Sequence, residues 1–136
     1  MIAYIVELED RPGELARIAE AIAGRGINIV SGAGVGLGGP GAVGLLTNDE
    51  EGTRSALDQA GCSYRQTQIV PISLPDRPGA LADAARRLAD AGVNVDLLIP
   101  TRIGGEGNVT VGIGVQDVEK ARSALGELAT ASTGRI

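Results

Sequence analysis

The chain of 136 residues has no histidine, no tryptophan, no phenylalanine and a single cysteine, Cys62. Without histidine, every catalytic relay built on an imidazole is excluded, and one thiol allows neither an intrachain disulfide nor a zinc site of the usual Cys/His kind. Metal chemistry would have to use oxygen ligands alone, and the scattered carboxylates form no acid/base pair that spacing can locate. The expectation is a protein that is not an enzyme, with no catalytic residue, no metal and no cofactor. Aromatic residues are limited to Tyr4 and Tyr64, so no platform for stacking bases exists, and the core must be built from Ile, Leu, Val and Ala. Positive charge is also in deficit: 12 Lys and Arg stand against 17 Asp and Glu, a net charge of −5. That sign opposes a phosphate backbone or an anionic membrane as partner. No run approaches the ~20 apolar residues that span a bilayer, and no basic residue precedes the short apolar run at the N-terminus. These features predict a cytoplasmic protein that binds neither nucleic acid nor membrane.

What the sequence does contain is an internal repeat. Leu8-Glu9-Asp10-Arg11-Pro12-Gly13-Glu14-Leu15-Ala16 returns 66 residues later as Leu74-Pro75-Asp76-Arg77-Pro78-Gly79-Ala80-Leu81-Ala82. The match continues through Ala19/Ala85, Ala23/Ala89, Gly26/Gly92 and Asn28/Asn94, and resumes at Asp49/Asp117 and Leu57/Leu125 with an offset of 68. Two residues have therefore entered the second copy between these blocks. The insertion falls where each copy is richest in glycine, at 32–41 and 104–107, as a surface turn would allow. Residues 130–136 correspond to 62–68, which divides the chain into domains at 1–67 and 68–136.

Within each copy the apolar periodicity alternates between strand and helix. Residues 2–8 and 68–74 read as strands, the second interrupted by Pro71, which fits best at an edge or bulge. Leu15, Ile18, Ala19, Ile22 and Ala23 fall at helical spacing, as do Leu81, Ala84, Ala85, Leu88 and Ala89. Pro12 and Pro78 suit a first helical position, and Gly26 and Gly92 suit the end of a helix. Strands follow at 27–33 and 93–99, then at 42–47 and 108–115 after the glycine-rich turns. Asp49 and Asp117 occupy N-cap positions ahead of second helical stripes, and short polar strands at 62–67 and 130–136 close the copies. The order is βαββαβ twice. It predicts an α+β fold of two ferredoxin-like units, each an antiparallel sheet with helices on one face. About 66 residues is marginal for one core, so the two copies are expected to dock.

A strand ending in Asp-Arg-Pro-Gly, a helix beginning Glu-Leu-Ala or Ala-Leu-Ala, and then Gly-x-Asn-x resemble the first half of the ACT domain, and the resemblance extends over essentially the whole chain as a tandem pair. It implies a stand-alone regulatory protein that binds an amino acid or similar small effector where two ACT units meet. It also implies a metabolic enzyme as the regulated partner.

The residues themselves suit such a ligand. Gly13 and Gly79 lack a Cβ at a helix start, where unpaired N–H groups and the helix dipole favour a carboxylate. That end contributes roughly 0.3–2 kcal/mol, so an ammonium group needs its own acceptor, which Asp10 or Asp76 could supply. Arg11 and Arg77 are candidate carboxylate clamps, although an exposed arginine at a helix entry is as readily solvated. Asn28 and Asn94 lie at the next strand, where an amide can both donate and accept. The resemblance makes these asparagines effector contacts. The candidate set is thus Asp10, Arg11, Pro12, Gly13, Glu14, Leu15, Asn28 and Ile29 in the first copy. In the second it is Asp76, Arg77, Pro78, Gly79, Ala80, Leu81, Asn94 and Val95. The same residues also have a purely structural reading as turn, helix-start and strand-entry residues. Because Glu14 is replaced by Ala80, the first copy is the preferred site.

Two further signals are set aside. Gly34-Val35-Gly36-Leu37-Gly38-Gly39 matches G-x-G-x-x-G in form, but that fingerprint must open a helix, whereas Pro40 and a strand follow here. A flexible hairpin is the default for this composition. Cys62 has no His or Lys neighbour in sequence and reads as a small structural residue. The strand order leaves sheet edges unpaired, and pairing between chains would hide them, which predicts a homodimer. The alternative to a sensor is an oligomerisation or protein-interaction module that binds no ligand.

Overall fold

The computed structural model of the chain describes residues 1–102 and 108–130. It divides into two compact units, Ile2–Gln66 and Thr67–Ile136, the second including Met1. The first unit runs β1 (Ile2–Glu9), α1 (Glu14–Ala23), β2 (Ile29–Gly36), β3 (Pro40–Thr47), α2 (Glu50–Gln59) and the start of β4 (Tyr64–Pro75). The second takes the rest of β4, α3 (Ala80–Asp90), β5 (Leu97–Arg102), β6 (Asn108–Val115), α4 (Val118–Leu125) and a 3-10 turn at Gly126–Leu128.

In the first unit the antiparallel order is β2-β3-β1. The chain returns beside β1 ahead of β4, where the Glu7 N–H donates to the Ser63 carbonyl at 2.8 Å. Strand alternation sends Tyr4, Val6, Val43 and Leu45 to one face, where they meet Ile18 and Ile22 of α1 and Ala56 and Leu57 of α2. Helices of ten residues are marginal alone, so these buried stripes are what hold α1 and α2 in place. The two aromatic rings of the chain, Tyr4 and Tyr64, pack edge to face with centroids 5.5 Å apart.

The second unit repeats this plan with order β4-β6-β5. Its core joins Val70, Ile72 and Leu74 of β4 and Ile113 and Val115 of β6 to Ala84 and Leu88 of α3 and Ala121 and Leu125 of α4. The class is α+β, with antiparallel strands and the helices of each unit on one face.

Capping explains where the helices start. The Asp49 carboxylate accepts from the Gly52 N–H at 2.9 Å, and Asp117 from the Lys120 N–H at 3.0 Å, which fixes α2 and α4 at the expected residues. The first helix of each unit begins differently. Gly13 and Gly79 are the N-caps, with φ of 93° and 89°, a left-handed conformation that a residue with a Cβ adopts only under strain. Pro12 and Pro78 therefore precede the caps and are not first helical residues. They belong to turns in which Arg11 and Arg77 carbonyls accept from the N–H groups of Glu14 and Ala80, at 3.5 and 3.4 Å.

Several boundaries differ from the sequence expectation. The closing strand of the first copy and the opening strand of the second are one continuous strand, β4, of 12 residues. Pro71 sits inside it without a bulge, paired with Gly112. Its carbonyl accepts from the Thr130 N–H at 2.9 Å, so its polar edge faces away from β6 and the missing N–H leaves that ladder intact. Strand β5 begins at Leu97, four residues later than expected. Glycines 32, 34 and 36 belong to β2, and the turn to β3 is only residues 37–39. Leu15 and Leu81, which fall at the helical spacing of the apolar stripes, are 57% and 45% exposed. At the end of the chain Ala129 bridges Ile72. Of the expected strand at 130–136, Thr130 is described and bonds to Pro71, while 131–136 and the glycine-rich insertion at 104–107 lie outside the described residues.

Candidate ligand-binding site

Strand β2 of the first unit pairs Gly32 with Leu45, Gly34 with Val43 and Gly36 with Gly41. Directly paired residues share a face, and Val43 and Leu45 face the helices. Gly32 and Gly34 thus leave the helix side of β2 without side chains, while at Gly36 the Asp10 carboxyl takes that place. The result is a cleft of about 640 Å³. Leu15 and Ala19 of α1 form its roof, the glycine stripe with Val43 and Leu45 its floor, and Ile29 its inner end.

Charge is confined to the opposite end. Glu9, Asp10, Arg11 and Glu14 are the only polar side chains of the lining, and they come from the end of β1, the loop after it and the first residue of α1. Asp10 is placed against Gly36, where a Cβ would have to displace its carboxyl, and that carboxylate accepts from the Gly38 N–H at 2.9 Å. Arg11 reaches Glu9 at 3.0 Å and Glu14 at 3.8 Å, with its side chain 64% exposed. Glu14 is buried at the start of α1 and accepts from Arg17 Nε at 3.1 Å and from the Glu9 N–H at 3.3 Å. The Arg17 hydrogen bond first, and then that of the Glu9 N–H, hold the Glu14 carboxyl below the usual carboxylate range. Arg17 also lies 3.6 Å from Cys62 Sγ, a neighbour that sequence distance concealed.

Of the first-copy candidates, Asp10, Arg11, Glu14, Leu15 and Ile29 line the cleft, while Pro12, Gly13 and Asn28 are not among its lining residues. Asn28 is instead fastened to Asn48, whose side-chain oxygen accepts the Asn28 N–H at 2.9 Å and whose N–H donates to the Asn28 carbonyl at 3.1 Å. Gly32, Gly34, Val43 and Leu45 were not in the expected set. Glycine at every second position of a strand was the signal for them, because that period clears one face.

The second-copy candidates are arranged differently. Arg77 turns back to the Pro78 carbonyl at 3.2 Å and to Asp83 at 3.4 Å. Asp76 and Gly79 are exposed, Ala80 is buried, and Leu81 and Val95 are exposed apolar side chains. Asn94 Nδ2 donates to Asp96 at 3.0 Å. The same carboxylate accepts from Gln116 Nε2 at 2.6 Å and Thr67 Oγ1 at 3.2 Å. Asn94 is thus one support of Asp96. Among the described residues, no group of His, Cys, Asp and Glu could hold a metal ion, and no helix is long and apolar enough to cross a membrane.

Comparison with solved structures places this fold among known ones. A protein from Bacteroides thetaiotaomicron superposes with a TM-score of 0.72 at 24% identity, covering 93% of this chain and 86% of the other. The regulatory subunit of aspartate kinase from Thermus thermophilus, in its ligand-free form, gives 0.66 at 20% identity over 93% and 89% of the two chains. Its counterpart from Thermus flavus gives 0.63 at 19% identity over 93% and 90%. No curated protein matches the sequence. Residues 68–130 match the ACT domain family, so the chain carries an ACT domain in its second unit.

Proposed function

We propose that this protein is a non-enzymatic regulatory sensor that binds a free amino acid in the cleft of its first unit. The observation that carries the reading is the separation of that cleft into a charged end and an apolar end. A zwitterion needs both signs of charge within a few ångströms, and Arg11 beside Glu9 and Glu14 offers both. The side chain of the ligand then lies along the glycine stripe beneath Leu15 and Ala19. The sequence repeat, which carries Asp-Arg-Pro-Gly into both units, supports reading the first unit as a second ACT domain. The occurrence of this fold in a regulatory subunit of aspartate kinase is in keeping with a role in controlling a metabolic enzyme.

The assembly that fits this reading is a homodimer. Strand β2 lies at an edge of its sheet, and its sequence, IVSGAGVG, has no charged residue and no proline to discourage pairing. Edge strand β5, LLIPTR, carries both Pro100 and Arg102. A second copy paired along β2 would border the cleft that the same strand floors.

The test is thermal unfolding of the purified chain with each common amino acid in turn. A ligand present at ~100 times its dissociation constant adds about 2.7 kcal/mol, which raises the midpoint by several degrees for a chain of this size. No shift with any of them would reject the sensor reading and favour a module that acts through protein contacts alone.

A further inference from the structure

We infer that the effector is an amino acid with an aliphatic side chain, and that each chain binds it once, in the first unit. This rests on the sensor reading above and specifies it. Beyond the mouth, every side chain lining the cleft is apolar. A ligand hydroxyl, amide or charge carried past Leu15 would lose its water and meet no partner. An apolar pocket distinguishes a hydroxyl-bearing isostere by only about a hundredfold, so threonine against valine is the demanding comparison. Lysine or aspartate is disfavoured further, because its charge would lie between Val43, Leu45 and Ala19.

The single site follows from the register of the second unit. Leu98 of β5 pairs with Ile113 and Pro100 with Val111, as Gly32 pairs with Leu45 and Gly34 with Val43 in the first unit. Ile113 and Val111 pack with α3 and α4, so Leu98 and Pro100 stand on the helix side of their strand. They place side chains where the first unit has none. Ala80 also stands where Glu14 supplies the buried carboxylate. The second unit thus has neither the clearance nor the buried carboxylate.

Calorimetric titration of the full chain with leucine, valine, threonine, lysine and aspartate tests both parts. Expected are binding of leucine or valine at one per chain, threonine about a hundredfold weaker than valine, and no measurable heat from the charged pair. A Cβ at Gly34 would meet only ordinary contacts, the nearest at 3.6 Å to Val43 and the Ala42 carbonyl. Gly34→Val should therefore fold, fill the cleft and abolish binding. Leu15→Asp, on an exposed roof residue, is the second variant and should weaken leucine at least tenfold. Tighter binding of threonine or a charged amino acid would overturn the aliphatic assignment and leave the sensor reading standing. Two molecules per chain would overturn the single site, and unchanged affinity in both variants would remove the cleft. Absence of binding by every amino acid would overturn the sensor reading and this inference with it.

Discussion

The Asp10 carboxylate accepts a hydrogen bond from the Gly38 N–H at 2.9 Å, while the Asp10 N–H donates to the next carbonyl, Gly39, at 2.9 Å. The tip of the β2–β3 hairpin is thereby fastened to the loop that carries the charged end of the cleft. Asp10→Ala should lower stability by about 1 kcal/mol, read as a fall in the urea midpoint. Asp10→Asn, which keeps an acceptor, should lose less. Equal losses in the two variants would show that the hydrogen bond contributes nothing.

Glu14 makes stability depend on pH. Its carboxyl titrates below the ordinary glutamate value of 4.5, because Arg17 and the Glu9 N–H bind the charged form. The unfolded chain therefore takes up this proton first on acidification. The contribution of Glu14 is complete above the ordinary value and disappears as pH falls through the lowered one. Thermal unfolding of the parent chain and Glu14→Gln should differ at pH 7, and the gap should close as the pH falls below 4.5. A gap that persists at low pH would assign the effect to packing.

Asn94 and Asn28 separate structural from ligand roles. Asn94 donates to Asp96, which keeps Gln116 and Thr67 when Asn94 is removed. Asn94→Ala should cost about 0.5–1.5 kcal/mol and leave the affinity for the amino acid unchanged. Asn28→Ala leaves the two backbone bonds to the Asn28 peptide in place and should likewise spare affinity, since Asn28 does not line the cleft. A tenfold loss in either variant, measured by calorimetric titration, would return that asparagine to the site.

The legible parts of the fold were those written in short-range chemistry. Asp49 and Asp117 cap the helices expected of them, and Ile18, Ile22 and Leu88 fill the core because their period matches a helix. Boundaries set by partners outside the local window were not legible. Strand β4 runs unbroken through Pro71 because a proline whose polar edge faces away from β6 removes nothing from that ladder. Leu15 lies at helical spacing with Ile18 and Ile22, yet it roofs a cleft, because whether a stripe is covered depends on what the facing strand presents. The facing strand presents glycine, and a glycine-rich composition suggests a turn without revealing which residues share a face. The loop residues Asp10, Arg11 and Glu14 were legible as candidates, while the floor, Gly32 to Val43 and Leu45, required the β2–β3 register.

The uncharged edge of β2 predicts a substitution that separates assembly from folding. Val35 is 57% exposed on that strand, paired with Ala42 of β3. A lysine there keeps its charge in water in a single chain, and charge on an edge strand discourages pairing with a second chain. Val35→Lys should therefore convert a dimer to monomer in light scattering at micromolar concentration. A surface change of this kind shifts stability by only about ±0.5 kcal/mol, so the unfolding midpoint extrapolated to low protein concentration should hardly move. If the parent chain is a dimer and the lysine variant remains one, β2 is not the paired edge, and the partner copy must approach through another surface.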